Sequence, residues 1–303
     1  MRRAIVALWT VSAFFLCDSA CALRIVATTP DLAAVAKEIA GEDVDVHAIV
    51  KGTQDPHYVE AKPSYIRRVN RADILIYTGM ELEVGWLPLL IEGARNRHMT
   101  PGSRRLINAS EAVKEKLEVP EEELQRSDGD IHAEGNPHYM LDPRNGILVA
   151  ELLAERFSEI DPERKEQYEA NLKAFQTAYK ERIKDWEERL KAWKGVKIVA
   201  YHRTWAYASN WLGFEVIGHV EEKPGIPPGP RHLANLIAQI RSEKAVAVVA
   251  SSHFSPKIPQ ATASRAGVKY IPLPQTVGAY KEVKTYADMF EKIAVELEKA
   301  MSP

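Results

Sequence analysis

One apolar stripe constrains this chain more than any other feature. Tyr168, Leu172, Phe175, Tyr179, Ile183, Trp186, Leu190 and Trp193 follow one another at intervals of three and four, the period of a single helix face. Asp161, Pro162 and Glu163 make a good N-terminal start, and Gly195 makes a good stop. At about 1.5 Å per residue, a helix over 161–194 is roughly 51 Å long, more than one small domain needs. The aromatics read as core packing. The length reads as a stiff spine crossing two lobes.

Short β-branched runs alternate with helical periodicity on both sides of that spine. "LRIVATT" (23–29), "DVHAIV" (45–50) and "ADILIYTG" (72–79) read as strands, with a helix through "DLAAVAKEIA" closed by Gly41. The pattern returns in "VKIVAYH" (196–202), "FEVIGHV" (214–220), "AVAVVASSH" (245–253) and "VKYIPLP" (268–274), with "RHLANLIAQIRSE" (231–243) as a helix among them. Such alternation predicts an α/β fold of two lobes, each a parallel sheet flanked by helices, joined by one long rigid helix. The boundaries expected are 1–22 for a signal peptide, 23–160 for the N-terminal lobe, 161–194 for the linking helix and 195–303 for the C-terminal lobe. No internal sequence repeat or low-complexity tract is visible.

The first residues, "MRRAIVALWTVSAFFLCDSACA", have the form of an export signal. Arg2 and Arg3 precede an apolar run from Ala4 to Leu16 that is short for a membrane span, and Ala20-Cys21-Ala22 supplies small residues for cleavage. The mature chain is expected to begin at Leu23, in the periplasm. Asp18 before Cys21 and Phe14 before Cys17 fit a lipoprotein signal badly, so a lipid anchor is not expected. Both cysteines lie in this segment, which leaves the mature chain without thiol chemistry and restricts any metal to His, carboxylate or water. Removing Arg2, Arg3 and Asp18 turns 40 basic and 42 acidic residues into 38 and 41, a net charge of −3 with histidine neutral. Nothing in that balance suggests a nucleic-acid partner.

Three histidines sit in rigid loops instead of in elements. His57 lies in "GTQDPHYVEAKP" (52–63), His138 between Pro137 and Pro143 in "EGNPHYMLDP" (134–143), and His202 at the end of "KIVAYH". A lone histidine is ordinarily a hydrogen-bonded residue. Three from both lobes, two of them at the C-terminal ends of strands where open parallel sheets bind ligands, suggest an imidazole metal site as the alternative.

The chain resembles the zinc/manganese solute-binding receptors of ABC importers, the ZnuA/TroA-like family. The resemblance covers nearly all of it from Leu23 and rests on five stretches: "DPHYVEAKPSYIRRVNRADILIYTGMELEVGWL" (55–87), "GNPHYMLDP" (135–143), the long helix, "AYHRTWAYASNWLGFEV" (200–216) and "PGPRHLANLI" (228–237). It implies a metal held in the interlobe cleft by one histidine from each motif, here His57, His138 and His202. It also implies a cognate permease in the inner membrane as partner, with a periplasmic metallochaperone as a candidate second one, and a monomer. The cargo expected is Zn²⁺ ahead of Mn²⁺ or Fe²⁺, because the third position is an imidazole where manganese or iron receptors commonly have a carboxylate.

The chain departs from the family pattern at one place. Relatives usually supply an acidic fourth ligand after the last core strand, where this chain has Pro274 and Gln275 in "YIPLPQTVGAY" (270–280). Water, Asp55, Glu60, Glu221, Glu222 and His253 are the candidates to take that role, the four carboxylates reading otherwise as surface charges or as charges that support the ligands. His132, in the acidic loop 117–137, reads as solvated, although relatives often carry a zinc-collecting His-rich loop there. His47, His98, His219 and His232 read as structural. Glu81 and Glu83 look like a helix start beside the cleft, serving as a cap, at the lobe interface or toward the docking partner. Capture without chemistry is the expected role. A zinc hydrolase or hydratase built on three histidines and water, and a non-transport metal buffer or adhesin, are the rival readings.

Overall fold

The computed structural model describes residues 23–120, 132–223 and 225–302. The expected signal segment (1–22), residues 121–131 of the acidic loop and Pro224 lie outside the described residues.

Two four-stranded parallel sheets organise the chain. The first contains β1 (Arg24–Ala27), β2 (Asp45–Ala48), β3 (Ile74–Tyr77) and β4 (Leu106–Asn108) in the order β2-β1-β3-β4. The second contains β5 (Lys197–Ala200), β6 (Glu215–His219), β7 (Ala247–Ser251) and β8 (Lys269–Leu273) in the order β6-β5-β7-β8. The two orders are the same walk through a sheet, so the topology repeats where the sequence does not. Central strands are apolar on both faces, as β7 shows with every residue buried, because helices cover both sides of each sheet.

The covering helices are α1 (Pro30–Ala40), α2 (Pro63–Arg71), α3 (Leu87–Ala94) and α4 (Pro143–Ile160) on the first side. On the second are α6 (Ala206–Leu212), α7 (Pro230–Glu243), α8 (Lys257–Ala266) and α9 (Tyr286–Met301). Between the sheets runs α5 (Lys165–Leu190), flanked by single 3-10 turns at Pro162–Arg164 and Lys191–Trp193. Its 26 residues span about 39 Å, shorter than the sequence estimate because both ends tighten into those turns.

The α5 stripe is buried as its period requires, apart from the partly exposed Leu172. Its first half is tied to α1, with Asn171 Nδ2 donating to Ile39 O (3.0 Å) and Tyr179 Oη to Glu38 Oε1 (3.2 Å). Its second half is tied to α9, with Trp186 Nε1 donating to Glu291 Oε2 (3.1 Å) and Arg189 bridging Glu291 and Glu298. Trp186 also packs on Phe290, ring centroids 5.3 Å apart. Each fully buried large apolar side chain of this kind contributes about 1.5–3 kcal/mol relative to exposure. One helix is thereby fastened to both lobes, and the loops at the C-terminal strand edges face one another beside it.

The expected helix start at Glu81 and Glu83 is not one: α3 begins only at Leu87. The segment is a tight turn with Met80 and Glu81 both at positive φ (47° and 61°). Glu83 is buried beneath it and accepts from Thr28 Oγ1 (2.6 Å), Thr78 N (2.7 Å) and Gly79 N (3.1 Å). Burial pushes its carboxyl up, with those donors opposing the shift. A buried acid that satisfies a strained turn mimics, in sequence, an acid at a helix N-terminus.

Candidate metal centre

Each of the three loop histidines is fixed by its own neighbours. After β2 the chain turns at Asp55, whose Oδ1 accepts from both the backbone N–H (3.0 Å) and the ring Nδ1 (2.8 Å) of His57. Trp86 Nε1 donates to Pro56 O (2.9 Å) and pins the same loop to the first lobe. Burial alone would raise the Asp55 carboxyl, but its hydrogen bonds to His57 and the charges of His57 and His253 hold it down at about 2.

His138 is set by Asn136 and by the start of α4. Its N–H donates to Asn136 Oδ1 (2.9 Å), while Asn136 Nδ2 reaches across to Arg203 O (2.6 Å). Asp142 caps α4 by accepting from Arg144 N (2.9 Å), and Pro143 supplies the first helical residue without needing a donor. His202, two residues beyond β5, has Nδ1 at 2.8 Å from Glu221 Oε2. Glu221 lies just past β6, and its own N–H donates to Tyr201 O (2.9 Å), so neighbouring strands of one sheet hold both partners.

These placements bring the three rings together. Centroids lie 5.3 Å (His57–His138), 5.4 Å (His57–His202) and 5.6 Å (His138–His202) apart, with the rings mutually edge-on. One ring nitrogen from each falls within 4.8 Å of the others. Nε2 of His57 and of His138 is buried with no hydrogen-bond partner. Burial, and then the charges that His57 and His202 would carry, hold His138 well below the ordinary histidine range, so this ring is neutral at physiological pH. Three convergent imidazoles with their outer nitrogens occupied could hold a borderline-soft cation.

Among the described residues, no other His, Asp or Glu joins that cluster. Asp55 and Glu221 face the outer nitrogens of His57 and His202. Glu60 is exposed and 3.8 Å from Lys62 Nζ, and Glu222 is exposed. His253 packs on Phe254 (4.1 Å), with Nε2 unpartnered and its pKa lowered to about 4, chiefly by burial. Gln275, in the stretch where the resemblance leads one to expect an acid, is buried with Nε2 at 3.3 Å from His138 Nδ1.

His132 overturns the solvated-loop expectation. Its ring stacks on His57 at 5.3 Å, its Nε2 is buried without a partner, and burial lowers its pKa to about 3. The loop is tied to the 79–83 turn where Glu81 Oε2 accepts from Ala133 N (2.6 Å). His219 and His232 stand apart from the cluster, with His232 Nε2 at 2.9 Å from His219 O.

A sequence model of the family described as zinc-uptake complex component A, periplasmic, matches residues 25–300. The chain belongs to this family. It is similar to the zinc uptake system protein ZnuA of Yersinia pestis, 26% identical over 258 residues, covering 81% of this chain and 80% of that one. The manganese ABC transporter substrate-binding lipoprotein PsaA of Streptococcus pneumoniae is 35% identical over 156 residues, covering 50% of this chain and 47% of that one. The chain spans about half the length of the streptococcal relatives it matches. A crystal structure of ZnuA superposes with a TM-score of 0.77 at 23% identity, covering 93% of this chain and all of that one, and so shares the fold.

Proposed function

We propose that this chain captures Zn²⁺ in the periplasm through Nε2 of His57, His138 and His202 and delivers it to the permease of an ABC importer. The observation that carries the reading is the common orientation of the three rings. Each has a partner at Nδ1, the carboxylates of Asp55 and Glu221 for His57 and His202 and the Gln275 amide, turned so that Oε1 accepts, for His138, which leaves the opposite nitrogen for one shared centre. That is how metal-binding imidazoles are ordinarily oriented.

The relatives differ in the metal their names carry: zinc for the Yersinia protein, manganese for the pneumococcal one. Donor chemistry favours zinc here. An all-imidazole set suits Zn²⁺ better than Mn²⁺, and the general affinity order places both Mn²⁺ and Fe²⁺ below it. Among the described residues no carboxylate joins the cluster, which supports water as the fourth ligand.

Family membership supports a solute-binding component in place of a hydrolase. The fastening of α5 to α1 and α9 supports closure by a small tilt of the lobes, not a wide hinge. The chain acts as a monomeric periplasmic receptor released at Leu23, although the streptococcal relatives are named as lipoproteins. The test offers Zn²⁺ or Mn²⁺ separately at micromolar concentration to the chain from Leu23, followed by desalting. Retention of one zinc per chain and no manganese is expected; stoichiometric manganese retention would overturn the metal assignment.

A further inference from the structure

The loop after β8 reaches out of its own lobe. Asp31, the second residue of α1, is 7% exposed, and its Oδ1 accepts from the Thr276 hydroxyl and from Val277 N (2.9 Å). Two residues on, backbone meets backbone. A Cβ on Gly52 would lie 2.3 Å from the carbonyl carbon of Gly278 and 2.4 Å from Val277 O, so only glycine permits this approach. Gly52 belongs to the loop that leads from β2 to His57. The loop from Gln275 to Gly278 is therefore clasped by the first lobe at two independent points.

Gln275 stands next to that clasp, 8% exposed and against His138. For His138 to present a lone pair at Nε2, its proton must sit on Nδ1 and needs an acceptor. As placed, the amide Nε2 faces Nδ1 and Oε1 has no partner. With the amide turned over, Gln275 Oε1 accepts from His138 Nδ1–H and the lone pair of His138 Nε2 is freed for the cluster. His57 and His202 take their Nδ1 partners from within their own lobes, Asp55 and Glu221. His138 takes its partner from the loop that Asp31 holds.

We propose that Asp31 is a positioning residue for metal capture: by seating Thr276 and Val277 it presses Gln275 onto His138, so that lobe seating and the His138 tautomer are set together. An acid at this position would favour the α1 N-terminus even if exposed. Its burial is what that role leaves unexplained, and burial raises its pKa to about 6 in spite of both donors. The effect on affinity rests on the metal-binding reading above; the effect on the ring does not.

The test is long-range ¹H–¹⁵N correlation of the histidine rings in the metal-free chain from Leu23, paired with competitive zinc titration. Asp31→Ala should shift His138 away from the Nδ1–H tautomer, leave His57 and His202 unchanged, and weaken zinc about 10–100-fold. Asp31→Asn should restore the wild-type ring pattern, because both donors go to Oδ1 alone. Thr276→Val, which removes one donor on the other lobe, should move His138 in the same direction and serves if Asp31→Ala does not fold. Wild-type His138 signals in Asp31→Ala, or in Thr276→Val in its place, would overturn the proposal, as would an Asp31→Asn spectrum like that of Asp31→Ala. A wild type that binds no zinc while its His138 ring responds as described would overturn the receptor reading alone.

Discussion

His202 Nδ1 lies 2.8 Å from Glu221 Oε2, and both residues are buried. A ring whose Nε2 holds a cation must carry its proton on Nδ1, and the Glu221 carboxylate is the acceptor that fixes that state. Glu221→Ala should weaken zinc about 10–100-fold by competitive titration. Glu222→Ala, one residue along and exposed, should leave affinity unchanged. Equal losses in the two variants would mean that local charge, not the hydrogen bond, matters.

His132 stacks on His57 but stands outside the three-ring cluster. Ring pairs of this kind contribute about 0.5–1.5 kcal/mol, which corresponds to roughly a 2–10-fold change in affinity. His132→Ala should therefore weaken zinc within about tenfold, against a loss of orders of magnitude for His57→Ala. A His132→Ala loss as deep as that of His57→Ala would make His132 a ligand.

The Asp31 carboxyl is raised to about 6 by burial. A raised acid contributes stability that is fully present below its unfolded value near 3.8 and is lost as pH rises through about 6. Above that range the folded chain carries a buried charge costing about 3 kcal/mol. Asp31→Asn keeps the accepting Oδ1 and removes the charge. Its melting temperature should exceed the wild type's at pH 7.5, and the gain should vanish near pH 4. A gain independent of pH would show that the Asp31 charge is not the cause.

Most of the fold is legible in the sequence because it depends on periodicity. The stripe from Tyr168 to Trp193 and the apolar runs at 74–77 and 247–251 announce α5, β3 and β7 without any knowledge of their partners. β4 has only three residues, Leu106–Asn108, too few to show a period. The matching strand orders are invisible to a search for repeats, because sheet order follows buried patterning and tolerates any apolar residue that fits.

The site is legible in part. His57, His138 and His202 stand out by their proline-bounded or strand-end positions. In the sequence their partners read only as candidate ligands or as a gap in the family pattern, because the contacts of Glu221 and Gln275 span 19 and 137 residues, and Asp31, 245 residues from the Thr276 it holds, gives no signal at all. The composition around His132 resembles that of any solvated loop. What ties it to the site is Ala133 N on Glu81 Oε2, a contact made by a turn with no sequence pattern of its own. Glu83 misleads for the same reason, being buried beneath that turn.

The most direct test of the central claim is the zinc content of the chain from Leu23 by mass spectrometry, with competitive titration of wild type and His202→Ala. One tightly held zinc per chain is expected, with a loss of affinity by orders of magnitude in the variant. No tight zinc in the wild type, or equal binding in His202→Ala, would contradict it.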